Sequence, residues 1–225
     1  MLNGMQILTV NIGVPRLNPH KGLKQTGIDK RPVDGAVAVT APGPKGKGDV
    51  ALAGDHAFNV KHHGGDYQAV YAYAREDLDR WEAELGRTLT NGFFGENLTT
   101  AGVDVNGALI GERWRIGSGL LLEVSCPRLP CTTFQGWMGI PDWIKRFTAA
   151  NEPGAYLRVI EPGTVQAGDS VEVVDRPDHD VTIAVSFRAF TLEPDLLPRL
   201  LDVEGMPPAD LAVVRKRLAG IPSAP

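Results

Sequence analysis

The sequence predicts a mainly β protein with some helices, of the α+β class. Its 26 glycines and 17 prolines are scattered along 225 residues, as expected for many short strands joined by turns. Short apolar or alternating segments recur up to about Asp175, and leucine-rich helical spacing follows that point. We therefore expect a β-rich body over residues 1–175 and a small C-terminal helical subdomain over residues 176–225.

Composition limits the classes of function. A net charge of −4 leaves no basic footprint for nucleic acid, and the short basic run at 215–217 is typical of a solvated helix end. The first residues lack the pattern of a signal peptide, and no apolar run approaches the length of a membrane span. Two cysteines without an export signal favour a reducing compartment. We expect a cytoplasmic protein without nucleic-acid or membrane partners.

Three short strands are predicted in the first part of the chain, at residues 5–13, 35–40 and 57–60. Between the first two lie Lys30 and Arg31, flanked by a glycine and a proline that shape the backbone. Such a pair can be aimed at an anion. A solvated surface pair is the alternative, because exposure is the usual state of Lys and Arg.

A helix is predicted over residues 66–85, where apolar side chains recur at helical spacing. Asp66 would cap its start and Gly86 its end. That start would place backbone N–H groups beside His63, which favours an anionic ligand group. Adjacent His62 and His63 are a weak zinc signal, because no Cys or carboxylate follows at zinc-ligand spacing.

A tight turn is predicted over residues 91–99, where glycines flank two aromatic residues. We expect Phe93 and Phe94 to point inward, and Glu96 and Asn97 to be exposed.

Further strands are predicted at residues 108–110, 113–116, 120–124, 155–160 and around 163–171. Helices are predicted from Pro141, around 192–201, and around 207–218.

Both cysteines, Cys126 and Cys131, lie in one proline-stiffened segment after the predicted strand 120–124. Pro127 and Pro130 restrict their neighbours to extended conformations. A guanidinium close to Cys131 would favour the thiolate, which attacks electrophiles or binds soft metals. The alternative is that both cysteines are small buried hydrophobic residues. A disulfide is the least favoured interpretation, because the prolines leave little freedom to reach bonding geometry.

Several short segments, in this order, carry a family resemblance. They are Thr26-Gly27-Ile28 with Lys30 and Pro32-Val33, His63-Gly64-Gly65, Phe94-Gly95-Glu96-Asn97-Leu98, and Pro127-Arg128-Leu129-Pro130-Cys131. Together they resemble the MOSC family, named for the C-terminal domain of molybdenum cofactor sulfurase, and most closely its small bacterial YiiM-type members. The resemblance extends from the first strand to about Asp175, and the helical tail fits the same subfamily.

The resemblance implies a β-barrel core with a cleft for a molybdenum–pterin cofactor (molybdopterin), whose metal is ligated by the Cys131 thiolate. It further implies reduction of N-hydroxylated compounds, such as N-hydroxylaminopurines, with electrons from a separate redox protein. Pyridoxal phosphate is not expected, and the protein would be a monomer or a homodimer.

The pterin phosphate needs cations and N–H donors. Candidate contacts to that phosphate are Lys30, Arg31, His63 and Arg158. Asn97 and Arg128 would lie on the metal side of the cleft and, with Cys131, form the catalytic set. Cys126 departs from the polar residue expected there, and we interpret it as a packed strand residue.

Two other functions remain open. The domain could carry the cofactor or a sulfur atom, with Cys131 as persulfide acceptor. Alternatively, Cys131, His63 and Asn97 have the residue types of a cysteine hydrolase, as nucleophile, base and orienting group.

Overall fold

The computed structural model describes residues 4–18, 23–47, 50–56, 58 and 63–220. The strands in these ranges are β1 (Gln6–Gly13), β2 (Arg16–Asn18), β3 (Leu23–Thr26), β4 (Lys30–Val33), β5 (Val37–Val39), β6 (Val70–Ala74), β7 (Leu98–Ala101), β8 (Arg113–Ile116), β9 (Leu120–Pro127), β10 (Ala155–Glu161), β11 (Gly163–Val165) and β12 (Val171–Asp175). The α-helices are α1 (Arg75–Leu85), α2 (Thr132–Met138), α3 (Trp143–Ala150), α4 (Ile183–Thr191) and α5 (Pro208–Leu218). The 3₁₀ helices are Asp66–Gln68 and Pro194–Leu200. The mainly β, α+β class predicted from the sequence is confirmed.

One large sheet of eight strands organises the molecule, in the order β12-β8-β9-β10-β6-β7-β1-β4. Its neighbours are antiparallel except for β6 and β7, which are parallel. Backbone hydrogen bonds also join the start of β1 to the segment entering β12, as from Ile7 N to Asp169 O at 2.9 Å. The described strands nevertheless form no ladder between β12 and β4, so the sheet is not closed and the predicted barrel is not confirmed.

Strand β9 lies at the centre of the main core, and all eight of its residues are buried. A strand covered on both faces has a nearly continuous apolar sequence, as its leucine run shows. The C-terminal helices contribute Ile183, Leu200 and Val214 to the same hydrophobic cluster as the strands. The division of the chain after residue 175 stays a prediction.

A second, aromatic cluster joins α1, α2 and α3 to the loop before β7. The ring of Phe94 lies at its centre, with ring-centroid distances of 5.1 Å to Phe134 and 5.7 Å to Trp143. Edge-to-face aromatic contacts contribute about 0.5–1.5 kcal/mol each beyond their buried area. The cluster therefore fixes α2, which begins directly after Cys131.

The helix predicted over residues 66–85 is wrong in its first half. Residues 66–68 form a 3₁₀ helix, 70–74 form β6, and only 75–85 are α-helical. All five residues of β6 are buried, and an apolar run of this kind also fits helical spacing. Gly86 does end the helix, with a φ of 63°. The α-helix therefore starts at Arg75, and the segment beside His63 begins a short 3₁₀ helix instead.

Other predictions differ in smaller ways. Helices α2 and α4 were not predicted. Within the predicted helix 192–201, Pro194–Leu200 form a 3₁₀ helix, and the predicted strand 108–110 has only an isolated bridge from Leu109 to Thr182. The predicted strand at 57–60 falls almost entirely outside the described residues. No helix in the described part of the chain combines the length and apolar character that crossing a bilayer requires.

Candidate functional site

A cavity of about 550 Å³ opens beside the carboxyl end of β9. Its size lies within the range of about 300–1,000 Å³ found for small-molecule and cofactor sites. Of the site residues predicted from the sequence, the cavity is lined by Lys30, His63, Asn97, Arg128 and Cys131.

Cys131 lies at the cavity in the short segment between the end of β9 and the start of α2. Strand β9 ends at Pro127, and α2 begins at Thr132. Cys131 is the residue before the helix and has extended backbone angles, φ −127° and ψ 168°, in agreement with the non-helical conformation predicted for this proline-containing segment. Its side chain is partly exposed, whereas the thiol of Cys126 is buried, and both cysteines are free.

The pKa of the Cys131 thiol is lowered to about 6. Burial opposes ionisation, but a hydrogen bond from His63, the positive charge of Arg128 and the N–H of Phe134 outweigh it. The side chain is therefore mostly thiolate at neutral pH. Burial instead raises the pKa of Cys126 to about 12, so that thiol stays protonated although it lines the cavity wall.

This difference predicts the reactivity of the two thiols toward iodoacetamide. In protein prepared without cofactor, alkylation of Cys131 should rise with a midpoint near pH 6, against about 8.5 for an ordinary thiol. His63→Gln should move the midpoint upward, and Cys131→Ser protein should take up no label. Mass spectrometry of quenched samples gives the rates. A midpoint above about pH 8 would contradict the described environment.

Arg128 supplies a cation held in place by rings. It is 7% exposed and donates a hydrogen bond to the carbonyl of Phe94. Its guanidinium carbon lies 4.0 Å from the ring centroid of Phe134 and 5.0 Å from that of Tyr71. Within the described residues it forms no salt bridge with a carboxylate. Its charge is therefore left to act on Cys131 and on whatever occupies the cavity.

Glu96 holds the loop that positions Arg128. One carboxylate oxygen accepts hydrogen bonds from Gly92 N at 2.5 Å and Thr99 Oγ1 at 2.9 Å, and the other accepts from Phe94 N at 3.0 Å. Glu96 is fully buried and Asn97 is 5% exposed, so the prediction that both are exposed is wrong. Phe94 does point inward, as expected. Three donors compensate for removing the carboxylate from water.

Lys30 reaches the cavity as one half of a buried ion pair. Its Nζ lies 2.5 Å from Asp55 Oδ2, and the two side chains are 10% and 9% exposed. Asp55 also accepts hydrogen bonds from Gly13 N and Asn97 Nδ2, each at 2.8 Å. Burial lowers the pKa of Lys30, although Asp55 opposes that shift. Lys30 is therefore largely neutralised by Asp55.

Asn97 has a supporting position. Its amide nitrogen donates to Asp55 and to the carbonyl of Asn11, and its oxygen accepts from Tyr71 N at 3.2 Å. These three hydrogen bonds direct the side-chain amide of Asn97 toward Asp55 and the backbone. The described structure shows no hydrogen bond between this amide and His63. The arrangement of a cysteine hydrolase, in which Asn97 would orient the imidazole, is not assembled.

The structure does not bring the two remaining predicted residues to the cavity. Arg31 is exposed and pairs with Asp29 at 2.9 Å. Arg158 pairs with Glu123 at 2.6 Å and lies over the ring of Tyr67. Neither is among the described lining residues. Arg31 faces away from the cavity because it follows Lys30 on β4, and adjacent strand residues face opposite sides.

Two carboxylates at the cavity, Asp55 and Asp210, were missed. Neither belongs to a recognisable motif, and each meets partners far away in the sequence, so local spacing gives no signal. Among the described residues, no group of three His, Cys, Asp or Glu side chains could hold a metal ion. A metal ion bound by Cys131 would therefore need its other ligands from groups other than the described side chains.

A family model for the MOSC domain matches residues 59–172, a segment that includes His63, Asn97 and Cys131. The chain belongs to the MOSC domain family. This MOSC protein is 32% identical over 183 residues to the uncharacterized protein YflK of Bacillus subtilis, across 81% of this chain and 79% of that protein. The crystal structure of YiiM from Geobacillus stearothermophilus aligns with it at a TM-score of 0.77 and 28% identity, across 95% of this chain and 99% of that one. The resemblance to YiiM-type MOSC proteins is confirmed.

A protein of Gibberella moniliformis named "Reductase" is 28% identical over 221 residues. The match covers 96% of this MOSC chain but 38% of that protein, so more than half of the longer protein has no counterpart here.

Proposed function

We propose that this protein is a molybdenum-cofactor-dependent reductase of N-hydroxylated compounds, with Cys131 as the ligand to the metal. The observation that carries the proposal is a cavity-facing thiol whose pKa is lowered to about 6. Soft metals bind thiolates, and a preformed thiolate avoids the cost of deprotonation on binding. The family and the reductase-named relative support the same reaction class.

The residues at the cavity fit such a cofactor in a specific way. Cys131 would hold the metal, and the dithiolene sulfurs of the pterin would complete a sulfur-rich donor set. Arg128 and His63 are the cationic and N–H-donating side chains that would contact anionic groups of the cofactor or substrate. Lys30 contributes less charge than predicted because Asp55 neutralises it.

When bound, the cofactor supplies two electrons to the substrate. The overall change is R–NHOH + 2 H⁺ + 2 e⁻ → R–NH₂ + H₂O, in which the N–O bond breaks and water leaves. The chain's own residues would bind and orient the substrate within the cavity, and Arg128 would supply positive charge beside Cys131. Two cysteines cannot hold an iron–sulfur cluster, so we assign the electrons to a separate donor protein. We place the reaction in the cytoplasm. We expect the protein to act as a monomer or a homodimer.

Turnover measurements test this proposal. Protein from a host that makes the cofactor, supplied with reduced methyl viologen, should convert 6-hydroxylaminopurine to adenine, as measured by chromatography. Cys131→Ser should lose at least about a hundredfold in rate, because it removes the metal ligand. Cys126→Ser, which removes only the buried thiol, is the control and should retain activity.

A molybdenum-loaded wild-type protein that leaves the substrate unchanged would overturn the reductase proposal. The same thiolate environment also suits a persulfide acceptor. A sulfane-sulfur adduct on Cys131, found by mass spectrometry together with absence of turnover, would favour the carrier function instead.

A further inference from the structure

Part of the cavity wall is formed by the C-terminal helices. Asp210, Val213 and Arg217 of α5 line it, beside Phe190 of α4. Residues spaced by three and four positions share one helix face, so one face of α5 is turned toward the cavity. The negative charge of Asp210 contributes to the raised pKa of Cys126, which places this carboxylate within electrostatic reach of β9.

The Asp210 carboxylate is partly buried and has no hydrogen bond or salt bridge to any other described residue. Burial raises its pKa, and Lys45 opposes that shift. Lys45 itself donates its Nζ hydrogen to Gln68 Oε1 at 3.1 Å. A carboxylate partly removed from water without a partner carries a desolvation cost that a ligand N–H would offset.

The surroundings of Asp210 suit a flat ring. Phe190 and Val213 present apolar surface to the cavity. Arg217 is held away from Asp210, because it donates to the carbonyl of Phe190 at 2.9 Å and lies 5.8 Å from that ring's centroid. Apolar walls with a small number of directed polar groups are the usual composition of a site that fixes a ligand's orientation.

We infer that Asp210 is a specificity-determining residue that accepts a hydrogen bond from an amino group of a flat nitrogen heterocycle. This inference rests on the proposed function, because it places the body of the N-hydroxylated substrate in the same cavity as Cys131. Amino-substituted heterocycles would therefore be favoured over analogues that lack the amino group, since the latter leave the carboxylate unpaired.

Calorimetric binding of two unreactive probes tests the inference. The probes are 2,6-diaminopurine and purine, which has no amino group, and the protein is the full chain from a cofactor-producing host. Wild-type protein should bind 2,6-diaminopurine at least about tenfold more tightly, because hydrogen bonds to charged groups are the stronger ones. Asp210→Ala should bring that ratio close to one, and Asp210→Asn should give an intermediate ratio. Asp202→Asn, at an exposed carboxylate before α5, is the matched control and should behave as wild type.

An equal affinity of wild-type protein for the two purines, or a ratio unchanged in Asp210→Ala, would overturn the inference. An acidic residue in the first turn of α5 could also act only on the helix dipole. That role predicts a lower melting temperature for Asp210→Ala with an unchanged ratio. If Asp210→Ala does not fold, an unchanged ratio in Asp210→Asn decides against the inference. The binding measurement needs neither an electron donor nor turnover. Failure of this inference can therefore be distinguished from failure of the reductase proposal.

Discussion

Asp55→Ala is expected to lower the free energy of unfolding by about 3–5 kcal/mol, the usual cost of removing one partner from a buried ion pair. The substitution leaves the Lys30 ammonium buried without its partner at 2.5 Å. It also removes the acceptor for Gly13 N and Asn97 Nδ2. Urea denaturation followed by fluorescence gives the free energy directly.

Arg31→Ala is the matched control, because it breaks an ion pair on the same strand whose arginine side chain is 56% exposed. That pair should contribute less than about 1 kcal/mol. The double variant Lys30→Met/Asp55→Leu should recover the part of the loss that comes from the unpaired charge, and the Gly13 and Asn97 donors would still lack their acceptor. If Asp55→Ala were no more destabilising than Arg31→Ala, the buried pair would not have the energetic role described.

Sequence patterns correctly predicted those strands and helix ends that are determined by neighbouring residues. Strands β9 and β10 follow from apolar runs between turn residues, and the left-handed Gly86 ends α1 as its position indicated. Strand β6 was mistaken for helix because five consecutive buried residues satisfy either period. The choice is made by pairing with β7 and β10, which lie far away along the chain.

The candidate site shows the same contrast between features determined by neighbouring residues and features that depend on the folded structure. Cys131 and Arg128 could be predicted because both lie in one proline-stiffened segment, and the thiolate-favouring effect of the guanidinium is a local consequence. Burial of Glu96 was missed although its three donors lie within four residues of it, because residue types and spacing do not show that those donors converge on the carboxylate. Neutralisation of Lys30 depends on Asp55, which is 25 residues away in the chain. Arg31 follows Lys30 directly, yet it lies outside the cavity because adjacent strand residues face opposite sides.

The second large effect concerns metal binding. Loss of the Cys131 thiolate should lower the retention of molybdenum at least about tenfold, because it removes the proposed protein ligand and no cluster of three potential ligands is present among the described residues to replace it. Removal of groups that merely support a metal ligand already costs about 10–100-fold in affinity, and loss of the ligand itself should cost at least as much. Cys126→Ser is the control, since its thiol is buried and protonated.

Elemental analysis of the three proteins, purified in parallel from a host that makes the cofactor, is the most direct test. Molybdenum is measured by plasma mass spectrometry and the pterin by fluorescence after oxidation. We expect both in wild-type and Cys126→Ser protein, at about one per chain, and a loss of at least about tenfold in Cys131→Ser. Wild-type protein without molybdenum, or a Cys131→Ser protein that retains it, would contradict the assignment of Cys131 as the metal ligand.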